Sequence, residues 1–491
     1  MRSWLIVAAL LAIGLAARAP RLTESLWYDE IAAWRDYASK GPAWIVTHYF
    51  DPANHIGHTL VSWASFSLLD RLGITAPEIA LRLPALLFSL GSIVAVWGLA
   101  GRACRGLGVD EGDPPAEPGA NGEGCRRMAV VAGVLAATLP VSVLEGVEAR
   151  GYSMMIAFSA LATWTILSAI QRERSWKWML YILCCALGVW SHLMMVWVPI
   201  GHAAWLMWAL ARGGGQHTRK RIVTLRGLGA VALAAILTLA LYAPVLDDLL
   251  RIRGQFRAAE GDEPGVFGVE GLHALLQLGG SWYWWAAAPG MAVAVVGFAA
   301  GMRRATTRAA LVLSLIGLPI MIVALAVGRS WMYARFALFA LPGAILAMAL
   351  GIDALWRWKR PIGAAALAIV IAVSLADLVV RPPRQPLREA ANIVRNNWSD
   401  DDRLLVIGLK HQAMEVYAGQ LDPTYSLDLG ADLEAKLHQT RPTWVIILYP
   451  QRVGEAKIRL LEDGGMTEIA RLPGWIDWGR GDVSVWRVGG S

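Results

Sequence analysis

Along most of its length the chain alternates long apolar runs with short polar turns. A run of about 17 to 25 apolar residues is what a helix needs to cross a hydrocarbon core. Such runs fall near residues 4–19, 82–101, 128–144, 151–170, 177–191, 193–211, 228–246, 283–301, 309–327, 336–355 and 362–380, which predicts eleven spans. Beyond Val380 the pattern changes, and Pro382-Pro383 marks the boundary. Shorter elements follow: helices over Leu387–Asn396, His411–Ala418 and Val453–Asp463, and strands over Leu404–Ile407, Thr443–Leu448, Ile469–Arg471 and Val483–Val488. The fold class is therefore a polytopic α-helical membrane protein. Its domains are a membrane domain over 1–380, with a long first external loop at about 20–80, and a C-terminal α/β domain over 381–491.

Composition agrees, since 56% of residues are hydrophobic and only 17% charged, outside the range of ordinary soluble domains. The net charge of +7 reads as topology. Arg102, Arg105, Arg126 and Arg127 share one turn, and Arg172, Arg174 and Lys177 the next. Arg212, Arg219, Lys220, Arg221 and Arg226 make a third, Arg303, Arg304 and Arg308 a fourth, and Arg357, Lys359 and Arg360 a fifth. All fall on one side if the N-terminus is cytoplasmic, which puts 381–491 and the first long loop outside. Basic residues spread over separate turns form no stripe for nucleic acid, which is excluded as a partner. The first span lacks a small-residue cleavage site and is expected to stay in place. Cys104 and Cys125 lie in a cytoplasmic loop and Cys184 and Cys185 in a span, so no disulfide framework is expected in the exported regions.

Within the first external loop, Ile31–Ala38 and Leu60–Leu69 are expected as amphipathic interfacial helices, anchored by Trp34, Trp44 and Trp63. Gly106–Gly124 has the composition of a disordered linker. Asp247–Ser281, ahead of the Trp282-Tyr283-Trp284-Trp285 cluster, reads equally as a lid or as a solvated connection with an aromatic belt.

The first candidate chemistry is Trp27-Tyr28-Asp29-Glu30, an acid pair just past the first span. Adjacent carboxylates in a partly desolvated cleft cannot both ionise freely, so one is tuned as a base or held by a cation, which suits deprotonating an acceptor. Asn54-His55-Ile56-Gly57-His58 follows. His55 and His58 suit hydrogen bonds to phosphate or to the acid pair, or, with Asp29 or Glu30, a divalent metal. Glu145, Glu148, Arg150 and Tyr152 share a short external turn, and Tyr333 and Arg335 repeat the aromatic-arginine arrangement at the start of another span. An arginine there either snorkels or binds a lipid-linked phosphate. His192 interrupts an apolar stretch at an external end.

The order of these motifs carries a family resemblance. Trp27-Tyr28-Asp29-Glu30, Asn54-His55, Ala80-Leu81-Arg82-Leu83-Pro84, Glu148-Ala149-Arg150-Gly151-Tyr152-Ser153, Ser191-His192, Tyr333-Ala334-Arg335-Phe336 and Leu341-Pro342 resemble GT-C glycosyltransferases. The chain is most similar to bacterial relatives of protein O-mannosyltransferases and lipid A aminoarabinose transferases. The resemblance implies a polyprenyl-phosphate-linked sugar donor, a lipid, glycan or protein acceptor, and a multi-pass place in the bacterial inner membrane. It also implies Asp29 as base, Glu30 as its neighbour, and Arg150 and Arg335 on the lipid phosphate. Where relatives carry His-Pro-Pro, this chain has His55-Ile56-Gly57, a local departure. A transporter or flippase of lipid-linked sugars would also place charges near the membrane, but would show internal repeats or broken helices at the midplane. A scaffold serving only the C-terminal domain would leave Asp29, Arg150 and Arg335 without a role.

Overall fold

The computed structural model describes residues 3–74, 76–105, 120–171, 174–212, 218–252, 268–330, 332–408, 411–426, 442–453, 455–476 and 481–488. The linker expected at Gly106–Gly124 and the middle of the expected lid lie largely outside these residues. The chain forms two compact units: Met1–Leu22 with Tyr37–Val379, and Thr23–Asp36 with Val380–Ser491.

In the first unit, nine helices among the described residues are long and apolar enough to cross a membrane, from Ser3–Arg21 to Arg360–Val380. The other two expected spans are helical as well. Ser175–Ser191 has 17 residues, and Ala120–Thr138 stops short of Pro140 before a further short helix, Pro140–Leu144.

That break has a physical cause and a repair. Pro140 has no N–H to give Ala136 O, and the N–H of Val141 goes instead to Gly280 O at 3.0 Å, so Ala137 O also loses its helical donor. Carbonyls abandoned at membrane depth need internal partners. Arg18, fully buried on the first helix, donates to Ala137 O (3.0 Å), Ala136 O (3.2 Å) and Ser142 O (3.0 Å), and Ser142 Oγ donates to Ala136 O at 2.7 Å. The break leads the chain into the turn carrying Glu145, Glu148 and Arg150. At the opposite end of the same region, Cys104 and Cys125 form a disulfide with Cα atoms 5.4 Å apart.

The second unit is built on a five-stranded sheet of β1 (Leu404–Gly408), β2 (Thr424–Ser426), β3 (Trp444–Leu448), β4 (Met466–Leu472) and β5 (Val483–Val488), in the order β2-β1-β3-β5-β4. β1 is parallel to both β2 and β3, whereas β5 runs antiparallel to β3 and β4. Every residue of β1 and β3 is buried, as expected of interior strands covered on both faces. Leu405, Ile407, Val445, Ile447, Leu461, Met466 and Trp486 form its core. Helix Leu387–Asn396 buries Leu387, Ala390, Ala391 and Val394, one face at helical spacing.

Residues 23–36 are part of this second unit. The expected helix over Ile31–Ala38 instead runs Tyr28–Asp36, because Trp27 O accepts the Ile31 N–H at 3.1 Å and starts the helix before the acid pair. Trp27 is fully buried against Tyr449 and Ile476, with the Arg384 guanidinium 5.4 Å from its ring centre. The Leu26 N–H donates to Tyr417 Oη (2.8 Å) and the Tyr28 N–H to Gln385 Oε1 (3.2 Å). The Arg388 N–H donates to Ser25 Oγ at 3.2 Å, and its guanidinium to Thr23 O at 2.7 Å.

Candidate functional site

The predicted site residues fall into two groups, one in each unit. Asp29 and Glu30, both buried, occupy the first turn of helix Tyr28–Asp36, where the exposed backbone N–H groups and the helix dipole favour carboxylates. Glu30 Oε2 accepts the Trp27 N–H at 3.2 Å. This is the reach of a helix-capping glutamate back to the residue before the helix. Glu30 thus has a structural task that the sequence reading did not give it.

The second group lies in the membrane unit, where two glycines bring it together. The backbone at Ser191 passes so close to Gly57 and Gly151 that a Cβ on Gly57 would lie 2.8 Å from Ser191 Oγ. One on Gly151 would lie 2.1 Å from Ser191 O and 3.1 Å from His55 Nδ1. These contacts set His192 beside His55, with ring centres 4.3 Å apart. They also give the departure at Ile56-Gly57 a reason, since no side chain fits at Gly57 without moving Ser191. Gly151→Ala is expected to destabilise the protein by about 1–3 kcal/mol or more through overpacking, read as a lowered unfolding temperature in detergent, whereas Gly73→Ala, with nothing within 4 Å of the added atom, should lack the clash and cost only the strain of its positive φ.

Around this contact the predicted residues converge. Arg150 Nη2 donates to His55 Nε2 at 2.8 Å, so neutral His55 carries its proton on Nδ1. His192 Nδ1 accepts the Met194 N–H at 3.2 Å, which puts the proton of its neutral ring on Nε2. Tyr152 is the shared platform. Its ring centre is 5.0 Å from that of His192 and 5.6 Å from that of His55, and the guanidinium carbons of Arg150 and Arg335 stand 5.4 Å and 6.0 Å from it. Arg335 also stands 4.8 Å over Tyr333. Glu148, like Glu145, is buried in the turn before Arg150, and Glu148 O accepts the Arg150 N–H at 2.6 Å.

The histidines of the cluster are uncharged. Burial, then His192, Arg150, His58 and Arg335, push the pKa of His55 well below the usual imidazole value. Burial, then Arg150, push that of His58 down to about 3. His58 Nδ1 lies 3.4 Å from Ser62 Oγ, and its buried Nε2 has no hydrogen-bond partner among the described residues. Two guanidiniums, neutral imidazoles and a tyrosine offer hydrogen-bond donors of the kind a phosphate accepts from.

The metal alternative fits less well. The Arg150 guanidinium already occupies the lone pair of His55 Nε2, and no group of three histidine, cysteine, aspartate or glutamate side chains is placed to hold a metal ion among the described residues. Sequence reasoning named Gly57 and Gly151 within motifs but gave them no packing role, and it passed over Arg18. Pro140 within an apolar run was the available signal for the helix break that Arg18 repairs.

No family model and no curated protein matches the sequence. By structure the chain is similar to ArnT from Cupriavidus metallidurans. The apo form has 13% identity and a TM-score of 0.55 over 98% of this chain and 97% of that one. The form bound to undecaprenyl phosphate has 14% identity and a TM-score of 0.57 over the same shares. An Archaeoglobus fulgidus oligosaccharyltransferase in complex with Zn and sulfate matches with 13% identity and a TM-score of 0.50, over 91% of this chain and 68% of that one. At these identities the likeness is one of fold, which the chain shares with ArnT and with the oligosaccharyltransferase.

Proposed function

We propose that this protein is a membrane glycosyltransferase that moves a sugar from a polyprenyl-phosphate-linked donor to an acceptor on a lipid, glycan or protein, at the external face of the bacterial inner membrane. The observation that carries the reading is the approach of Arg150 and Arg335 to one aromatic ring, Tyr152, within a buried cluster of neutral histidines. The ArnT structure bound to undecaprenyl phosphate supports a polyprenyl-linked donor for this fold.

In this reading the acceptor oxygen or nitrogen attacks the anomeric carbon as the bond from that carbon to the phosphate oxygen breaks. Asp29 takes the acceptor proton as general base. Glu30 holds the first turn of the helix that carries it. The electron pair of the breaking bond stays on the polyprenyl phosphate, whose added negative charge Arg150 and Arg335 stabilise, a gain that is largest as charge develops. Arg150 fixes His55, and Tyr333 and Tyr152 hold the guanidiniums at their faces. His58, His192 and Glu148 complete the wall of the phosphate site. The test is transfer from a synthetic polyprenyl-phosphate sugar by protein in liposomes. Movement of the intact lipid-linked sugar between leaflets without transfer would reject the enzyme reading in favour of a flippase.

The orientation follows from the basic turns, with the N-terminus cytoplasmic and the C-terminal domain external. Because Thr23–Asp36 and Val380–Ser491 form one unit, both lie on one side of the membrane. In a background without the four native cysteines, Ser399→Cys should react with an impermeant thiol reagent in intact cells and Ser175→Cys should not. Equal labelling from outside would reject this topology.

A further inference from the structure

The strand order of the C-terminal sheet reverses at β1. From β1 the chain goes out to β2 on one side and returns to β3 on the other, with both neighbours parallel to it. In an open α/β sheet, the crevice beyond the carboxyl ends of two such strands, here β1 and β3, is where a ligand ordinarily binds. Tyr449, the first residue past β3, holds a left-handed φ of 65°. That conformation is costly for a bulky side chain and persists where the surroundings over-determine it, as at ligand clamps. Its ring packs with Ile476 against Trp27. The carboxyl end of β3 therefore receives a side chain of the chain's own segment 23–36.

Trp27 does not behave as an aromatic-belt anchor. Belt tryptophans sit at the wet headgroup level, whereas Trp27 is fully buried. The backbone on either side of it is held as well. The three N–H groups ahead of Asp29 each donate to a side chain: Leu26 to Tyr417 Oη (2.8 Å), Trp27 to Glu30 Oε2 (3.2 Å) and Tyr28 to Gln385 Oε1 (3.2 Å). Burial of Trp27 alone would anchor the segment. Fixing three consecutive N–H groups also sets the direction of the first helical turn, which carries Asp29.

We propose that the C-terminal unit takes Trp27 as an internal ligand at this switch point and thereby orients the Asp29 carboxylate, with Gln385 and Tyr417 as positioning residues. The inference rests on the reading of Asp29 as general base. It gives the α/β unit a part in the reaction without any group of its own touching the substrate.

Tyr417→Phe and Gln385→Leu each remove one acceptor and little volume. In the full chain reconstituted in liposomes, each should lower kcat for sugar transfer by about tenfold or more, since a misplacement of about 1 Å can cost about a hundredfold. KM for the polyprenyl-phosphate sugar should stay at the wild-type value, because neither change touches Arg150 or Arg335. Amide hydrogen exchange at residues 26–31 should quicken in both variants. In an Asp29→Asn background neither should slow transfer further, because a misplaced base costs nothing once the base is gone. Wild-type kcat in both variants, unchanged exchange, or a full further loss in the Asp29→Asn background would overturn the proposal. Wild-type transfer by Asp29→Asn alone would refute the base reading instead. Exchange at 26–31 would then still decide the docking, which quickened exchange supports and unchanged exchange overturns.

Discussion

Asp29→Asn is expected to lower sugar transfer by about a hundredfold or more, the usual contribution of a positioned general base, while donor binding persists. The substitution keeps the volume and most hydrogen-bonding capacity of the side chain and removes its basicity. It also spares the start of the helix, which Glu30 caps through the Trp27 N–H. Glu30→Gln is the informative companion, because an amide oxygen still accepts that N–H. Loss of activity in Glu30→Gln with full activity in Asp29→Asn would exchange the two roles. Full activity in both would remove the acid pair from the chemistry.

Arg335→Ala is expected to reduce transfer by about 10²–10³-fold, comparable to removing one preorganised donor from a developing anion. The loss should fall mainly on kcat if the contact strengthens as the leaving group forms, and on KM if it only holds the ground state. Arg150→Ala should cost more, since it removes a guanidinium and also strips His55 Nε2 of its donor. Rescue of Arg335→Ala by Arg335→Lys, with Arg150→Lys remaining impaired, would separate a need for charge from the directed contact to His55. Both alanine variants at wild-type rates would refute the phosphate clamp.

The membrane helices were legible because a spanning segment must be long and apolar, and length and polarity are written in the sequence. The C-terminal elements were legible through the same economy: β1 and β3 are short, unbroken apolar runs, and Leu387–Asn396 repeats its apolar residues at helical spacing. Arg150, Arg335 and His192 announced themselves as charged or polar residues where lipid penalises them. What stayed hidden depends on contacts far apart along the chain. Nothing near Gly57 states that Ser191 passes against it, and nothing near Arg18 states that carbonyls at 136, 137 and 142 lack partners. Nor does the sequence mark 23–36 as belonging with the last domain, because the groups that hold it, Tyr417, Gln385 and Arg388, are ordinary residues of that domain.

That last attachment puts a clock on the protein. The Leu26–Tyr417 hydrogen bond joins residues 391 positions apart. At about 5–20 residues per second, the segment bearing the acid pair waits roughly 20 to 80 seconds after its own synthesis before its partners exist. During that interval the nascent chain has its membrane helices emerging but no docked first loop. Long-range closures of this kind form late. Chains arrested near residue 380 should therefore leave 23–36 open to protease added from the same side. Release of the complete chain should close that site, so that resistance at 23–36 reports the completion of the second unit.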